Sequence, residues 1–220
     1  MKKTSYWILG FTILLISYFL HPVQTKVMYV QPKEKGQEIN IEKAKKTYDN
    51  QDIVGYLHIP STNIAYFVTQ SANNTFYLTH DLKKQESIFG TVFMDYRNHE
   101  GDVQINLYGH NGNHPQAPFY TLEKYKEKSF YETHPTIEFI LENKRKIYDI
   151  VYVVTTTEEE HMNLEKSFPQ KKAFYENNLV YETSLSIEKE DTILVLQTCT
   201  YQPQKAFLLV IAKERKEDKI

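Results

Sequence analysis

The chain has 220 residues, which suits one domain of about 150–200 residues together with a terminal segment. Its formal net charge is −2 at pH 7, so charge gives no reason to expect a nucleic acid partner. Seventeen tyrosines and twelve phenylalanines against seven glycines favour strands over helices. The sequence contains one cysteine, Cys199, so no disulfide can form within the chain. A small buried hydrophobe is the simplest interpretation of such a residue.

Residues 1–24 are predicted to form a signal anchor. Lys2 and Lys3 precede an apolar run over residues 6–20, which is the arrangement of an export signal. This run is shorter than the ~20 residues of a spanning helix, but flanking side chains can extend it by snorkelling. Residues 18–30 lack the small residues of a cleavage site, so we expect a single-pass membrane anchor with the rest of the chain outside the cell.

Residues 25–51 are predicted to be a linker that ends in a short helix over 41–50, and residues 52–215 the folded domain. Further helices are predicted at 119–131 and at 162–178, the second one broken by Pro169. The other segments have the composition and alternation of strands or extended pieces, and they cover 53–60, 64–69, 76–81, 90–98, 103–110, 136–143, 146–157, 192–198 and 206–214. This mainly β order with inserted helices indicates a barrel or sandwich decorated by helices.

A candidate for chemistry stands at the end of a predicted buried strand. Cys199 follows the apolar run of residues 192–198 and precedes a polar loop, so a rigid strand end would present its thiol at a surface cleft. A cysteine nucleophile needs a base, which is usually histidine. The chain has eight histidines, and their spacing alone does not choose among them. His110 has a local argument, because it also ends a strand and follows Gly109, which permits a sharp exit.

Two short motifs around these residues resemble the sortase family. The sequence LQTCT at residues 196–200 is similar to the sortase signature TLxTC, with Val195 where the threonine would stand. The sequence NLYGHN at residues 106–111 resembles the sortase segment that holds the catalytic histidine.

Longer segments are similar to the class B form of the sortase domain. They are residues 52–81, followed by residues 90–98, and the predicted helix at 162–178 falls where class B sortases insert a helix before the nucleophile strand. The resemblance covers about residues 52–212, and the order and spacing of its motifs are more specific than any one of them.

The resemblance implies a closed eight-stranded β-barrel and a membrane-anchored cysteine transpeptidase that needs no metal or cofactor. Cys199 would attack the sorting signal of a secreted protein and form a thioester, while His110 would protonate the leaving amine. An amine from a peptidoglycan precursor or from a pilin lysine would then resolve the thioester. The roles implied are cell wall anchoring or pilus assembly at the membrane of a Gram-positive cell.

One departure from the family pattern concerns an arginine that stands eight residues beyond the cysteine in class B. Here that position is Phe207, which has no hydrogen-bond donor on its side chain. Lys205 and Arg97 are the candidate substitutes for stabilising the substrate carbonyl or the oxyanion, although lysine fits a bidentate role poorly. Two alternatives to an active sortase therefore stay open: a sortase-fold assembly or binding protein with little catalysis, and a general cysteine hydrolase on another barrel.

Overall fold

The structure, a computed structural model, describes residues 39–142, 144–157, 166–202 and 205–216. The signal anchor predicted at residues 1–24 and most of the linker predicted at 25–51 lie outside these ranges. Within the described ranges, no helix combines the length and the apolar character needed to cross a membrane.

Eight strands close into a barrel in the order β1-β2-β3-β4-β7-β8-β6-β5. The strands are β1 Ile53–His58, β2 Ala65–Thr69, β3 Phe93–Met94, β4 Gln104–Tyr108, β5 Thr136–Leu141, β6 Lys144–Thr156, β7 Ile193–Thr200 and β8 Ala206–Glu214. Most neighbours are antiparallel, but β4 lies parallel to β7 and β2 lies parallel to β3. The expectation of a mainly β, closed eight-stranded barrel with inserted helices is confirmed.

Short helices decorate the barrel. They are α1 Ile41–Tyr48, α2 Lys128–Thr133 and α3 Phe168–Glu176, together with 3-10 helices at Phe76–Leu78 and Tyr120–Lys126. The single helix predicted at 119–131 is therefore divided, and the extended piece predicted at 76–81 is wrong because it begins with a 3-10 turn.

The prediction that Pro169 breaks a helix is also wrong. Pro169 stands in the first turn of α3, where a proline costs no hydrogen bond because the first N–H groups of a helix have no partner inside it. Ser167 and Gln170 form a capping box at the same end. Proline therefore helps to begin this helix. The predicted stretch before it, at residues 162–165, lies outside the described residues.

Strand β7 alternates between the barrel interior and an outer face. Leu194 and Leu196 belong to the interior core, whereas Val195 packs outside with Tyr175 of α3. Because successive side chains of a strand point to opposite faces, Cys199 continues the outer row that Val195 belongs to. The strand thus carries the thiol out of the core to the surface of the barrel, where Cys199 is exposed.

Candidate active site

The ends of β4 and β7 are joined by hydrogen bonds just before the two candidate reactive residues. The N–H of Gly109 donates to the carbonyl of Gln197 at 3.3 Å, and the buried Thr198 hydroxyl donates to the carbonyl of Gly109 at 2.7 Å. Gly109 also lies so close to Phe119 that a Cβ here would be 2.8 Å from the ring. These contacts fix the backbone immediately before His110 and Cys199.

Cys199 and His110 line the same hollow, which has a volume of about 440 Å³. The residues that line it are Asn74, Thr75, Leu78, Phe93, Tyr108, Gly109, His110, Gln197, Thr198, Cys199 and Phe207. They come from β3, from the ends of β4, β7 and β8, and from the segment 74–78, which contains the 3-10 helix Phe76–Leu78. The structure therefore brings together the two residues that the sequence selected separately.

His110 is half-buried and has one fixed partner. Its Nε2 lies 2.9 Å from the carbonyl oxygen of Leu78. A carbonyl oxygen only accepts hydrogen bonds, so Nε2 carries the hydrogen and Nδ1 is the lone-pair nitrogen of the neutral ring. The ring can therefore take up and release a proton at Nδ1 while Nε2 holds its orientation.

A buried carboxylate supports the wall of the hollow. Asp95 is 0% exposed and accepts hydrogen bonds from the hydroxyl of Tyr108 at 2.8 Å and from Nδ2 of Asn74 at 2.9 Å. Both donors line the hollow. Burial on its own would raise the pKa of Asp95, but the hydrogen bonds from Arg97, Tyr108 and Asn74 outweigh it and lower that pKa to about 2. Burial also raises the pKa of Tyr108, which therefore stays a neutral donor.

The structure separates the two cationic candidates. Arg97 donates from Nε and from a terminal nitrogen to the two oxygens of Asp95, each at 2.9 Å, and it does not line the hollow. Lys205 is exposed, with a φ of 59°, and lines a second hollow of about 490 Å³ that also contains Cys199. Lys205 thus lines a hollow together with Cys199, whereas Arg97 pairs with the buried carboxylate of Asp95.

Phe207 stands directly opposite Cys199 in the pairing of β7 with β8. It lines both hollows, so an apolar ring occupies the place next to the thiol where the sequence pattern leads one to expect a guanidinium. None of the described residues that line the hollow shared by Cys199 and His110 is an arginine.

Sequence reasoning missed a second group of polar residues, on the side of Cys199 that faces the loop after β4. The side chain of Asn111 donates to the carbonyl of Cys199 at 3.1 Å and to Glu123 at 2.9 Å. Lys126 in turn contacts Glu123 at 2.6 Å. The only signal in the sequence was the position of Asn111 directly after His110.

The family profile described as Sortase domain matches residues 57–215. The chain belongs to the sortase family. This sortase is 32% identical over 159 residues to sortase B of Listeria monocytogenes, an alignment that covers 68% of this chain and 63% of the Listeria protein. The chain thus spans less than two thirds of the length of that relative. It is 31% identical over 175 residues to sortase B of Staphylococcus aureus, covering 74% of this chain and 70% of the relative.

Solved structures agree with this assignment. A Staphylococcus aureus sortase B–substrate complex superposes with a TM-score of 0.69 and 25% identity, covering 94% of this chain and 92% of the solved one. The expected similarity to class B is therefore confirmed for this sortase.

Proposed function

We propose that this sortase is a cysteine transpeptidase in which Cys199 is the nucleophile and His110 is its proton-transfer partner. One observation carries the proposal: an exposed thiol at the end of a buried strand faces the same hollow as a histidine whose Nδ1 is left to exchange a proton. Strand ends held by the barrel give both groups a fixed position, which a two-residue proton transfer needs.

The reaction has two halves. His110 takes the thiol proton as the sulfur of Cys199 attacks the carbonyl carbon of a sorting-signal peptide bond, and the C–N bond then breaks as His110 gives that proton to the leaving amine. This leaves the acyl group on sulfur as a thioester. An incoming amine attacks the thioester, its proton passes to His110, and the C–S bond breaks as that proton returns to sulfur, which releases a new amide and the thiol.

Phe207 cannot stabilise the oxyanion, because its ring donates no hydrogen bond. Lys205 is the better candidate, because it is exposed in the loop beside Cys199, whereas the Arg97 guanidinium is held by a buried carboxylate. A lysine offers a point charge instead of a fork of fixed donors, so we expect a weaker effect than an arginine would give.

The acyl donor is a secreted protein that carries a C-terminal sorting signal, and the amine comes from a peptidoglycan precursor or a pilin lysine. The solved S. aureus neighbour is described as a sortase B–substrate complex, and this supports a substrate-binding role for the barrel. Residues 1–24 hold the protein in the cell membrane with the barrel outside, which places it where such partners meet.

Product analysis tests this function. A domain of residues 27–220 is incubated with candidate sorting peptides, with triglycine or a lysine peptide as the amine, and the products are separated by mass. We expect a new amide between peptide and amine, and none with Cys199→Ala. Hydrolysis alone, with no transfer to either amine, would support a cysteine hydrolase instead.

A sortase-fold assembly or binding protein is the second candidate, and Phe207 opposite Cys199 is the observation that favours it. A neutral thiol reagent separates the two. In an enzyme, His110→Ala slows the alkylation of Cys199, because the imidazole accepts the proton of the thiol. An alkylation profile that does not respond to His110, with client peptide bound but uncleaved, would favour the binding protein.

A further inference from the structure

The backbone ladder between β4 and β7 ends one step before Cys199. Gly109 donates its N–H to the carbonyl of Gln197, which is the last such bond along this edge. The carbonyl of Cys199 is the next acceptor on the same edge of β7, and it is met by Nδ2 of Asn111 at 3.1 Å. The side-chain amide of Asn111 thus supplies one more hydrogen bond between the two segments, at the point where the chain leaves β4 through His110.

The Asn111 side chain is fixed by its two partners. It is 1% exposed, and besides the carbonyl of Cys199 it donates to Oε1 of Glu123 at 2.9 Å. Both partners are acceptors, so only the NH₂ end of the amide can face them. Glu123 is in the 3-10 helix Tyr120–Lys126, and its other carboxylate oxygen lies 2.6 Å from the ammonium of Lys126.

Lys126 bonds to the segment that follows the nucleophile. Its ammonium donates to the carbonyl of Gln202 at 2.8 Å and to the hydroxyl of Thr200. Together with Glu123 these acceptors match the three hydrogens of an ammonium group. The side chains of Lys126 and Glu123 are 21% and 28% exposed, so water and salt weaken this pair less than a pair on the open surface.

We propose that Asn111, Glu123 and Lys126 form a polar brace that sets the position of Cys199 relative to His110. The inference rests on the proposed function, for which these three are positioning residues that touch no substrate. The brace runs from the residue after the histidine to the segment 199–202 that contains the nucleophile. Its two charges neutralise each other, so the intact brace adds no net charge beside the thiol. Misplacement of a reacting group by about 1 Å can cost about 100-fold in rate.

The first test compares kcat and KM for peptide cleavage in matched lysine variants. Lys126→Met keeps the length of the side chain and removes its donors, and we expect kcat to fall by about 10-fold or more with KM within about two-fold. Lys126→Arg restores donors and should recover most of kcat. Lys124→Met is the control, because Lys124 is in the same helix but its ammonium lies over the Phe130 ring, 5.7 Å from the centroid. Equal kcat losses in Lys126→Met and Lys124→Met would overturn the proposal.

The second test does not depend on catalysis. Amide hydrogen exchange of residues 199–202 should become about 10-fold faster in Lys126→Met and stay parental in Lys124→Met, since exchange reports local opening. Unchanged exchange in Lys126→Met overturns the brace, and so does faster exchange with a parental kcat. If the parent protein forms no thioester, the proposed function fails, while the exchange result still decides whether the brace holds this segment.

Discussion

In the proposed mechanism His110 carries the proton transfers, and its ring is oriented by the carbonyl of Leu78. Replacing it by alanine should slow peptide cleavage by about 100-fold or more, which is the usual size of a general acid–base contribution. His114 is the matched control, because its ring stacks on Phe89 with 4.8 Å between centroids and does not line the hollow with Cys199. His114→Ala should therefore do far less. Initial rates on one client peptide check this, and equal losses at the two positions would remove the case for His110.

Phe207 leaves the position opposite Cys199 without a hydrogen-bond donor. If Lys205 compensates in part, Lys205→Ala should lower kcat by about 10-fold, and Phe207→Arg should raise kcat, because one oxyanion donor is worth about 100- to 1000-fold. Arg97→Ala serves as the comparison in the same assay. Parental activity in both alanine variants, with no gain from Phe207→Arg, would mean that backbone N–H groups alone hold the oxyanion.

Asp95 makes the free energy of unfolding depend on pH. Its pKa is about 2 in the folded protein against 3.8 for the ordinary group, which corresponds to about 2 kcal/mol of stability. The folded value is the lower one, so this stability is present above about pH 4 and is lost as the pH falls towards 2. Arg97→Ala should therefore destabilise the protein at pH 7 and shift acid unfolding to higher pH.

Arg145→Ala is the control for that experiment. Arg145 pairs with Glu138 at 2.7 Å, but its side chain is 60% exposed, so its loss should cost less than about 1 kcal/mol. Urea unfolding at pH 7 gives the free energy of unfolding of both variants. An acid titration followed by far-UV circular dichroism gives the pH at which each variant unfolds. Equal destabilisation by the two substitutions would show that the pair of Arg97 with the buried Asp95 contributes no more stability than the exposed pair of Arg145 with Glu138.

At the scale of elements, the turn that carries Leu78 depends on Gly90. Gly90 has a φ of +55°, and a Cβ there would lie 2.2 Å from the carbonyl of Tyr77 and 2.7 Å from that of Leu78. Gly101 also has a positive φ, of +91°, but a Cβ there would meet no described atom within 4 Å. Gly90→Ala should thus cost about 1–3 kcal/mol more than Gly101→Ala in urea unfolding and should also lower activity through His110. Equal costs would contradict the close approach.

Elements with a strong pattern could be predicted from the sequence. The apolar run of β7 and the alternation of β1 can be recognised in the sequence because both strands bury most of their side chains. The 3-10 turn at Phe76–Leu78 was missed because a side chain decides it: Oδ1 of Asn73 accepts from the N–H groups of Thr75 and Phe76.

The candidate site was predictable only in part. Cys199 and His110 stand in short motifs, but the bond from Asn111 to the carbonyl of Cys199 joins residues 88 positions apart. No local pattern reports such a pair. Likewise, the sequence favoured Lys205 only slightly over Arg97, and only the fold shows that Arg97 pairs with a buried carboxylate.

At the scale of the whole molecule, α1 packs against the barrel as part of the folded domain. Ile41 and Ala44 of α1 are buried against Ile53, Tyr56 and a neighbouring part of β2. Removing residues 1–26 should leave a soluble domain with cooperative urea unfolding. Removing residues 1–50 should destabilise it by several kcal/mol, because each uncovered large apolar side chain costs about 1.5–3 kcal/mol. Equal stability of the two truncations would show that α1 is not part of the core.

The central claim is that Cys199 forms a thioester, and intact mass measurement tests it most directly. The domain of residues 27–220 is mixed with a sorting peptide, quenched in acid without an added amine, and digested. The account predicts an added acyl mass on the fragment that contains Cys199, its removal by hydroxylamine, and its absence in Cys199→Ala. Cleavage of the same peptide at the parental rate by Cys199→Ala, or turnover with no acyl mass on Cys199, would contradict the account.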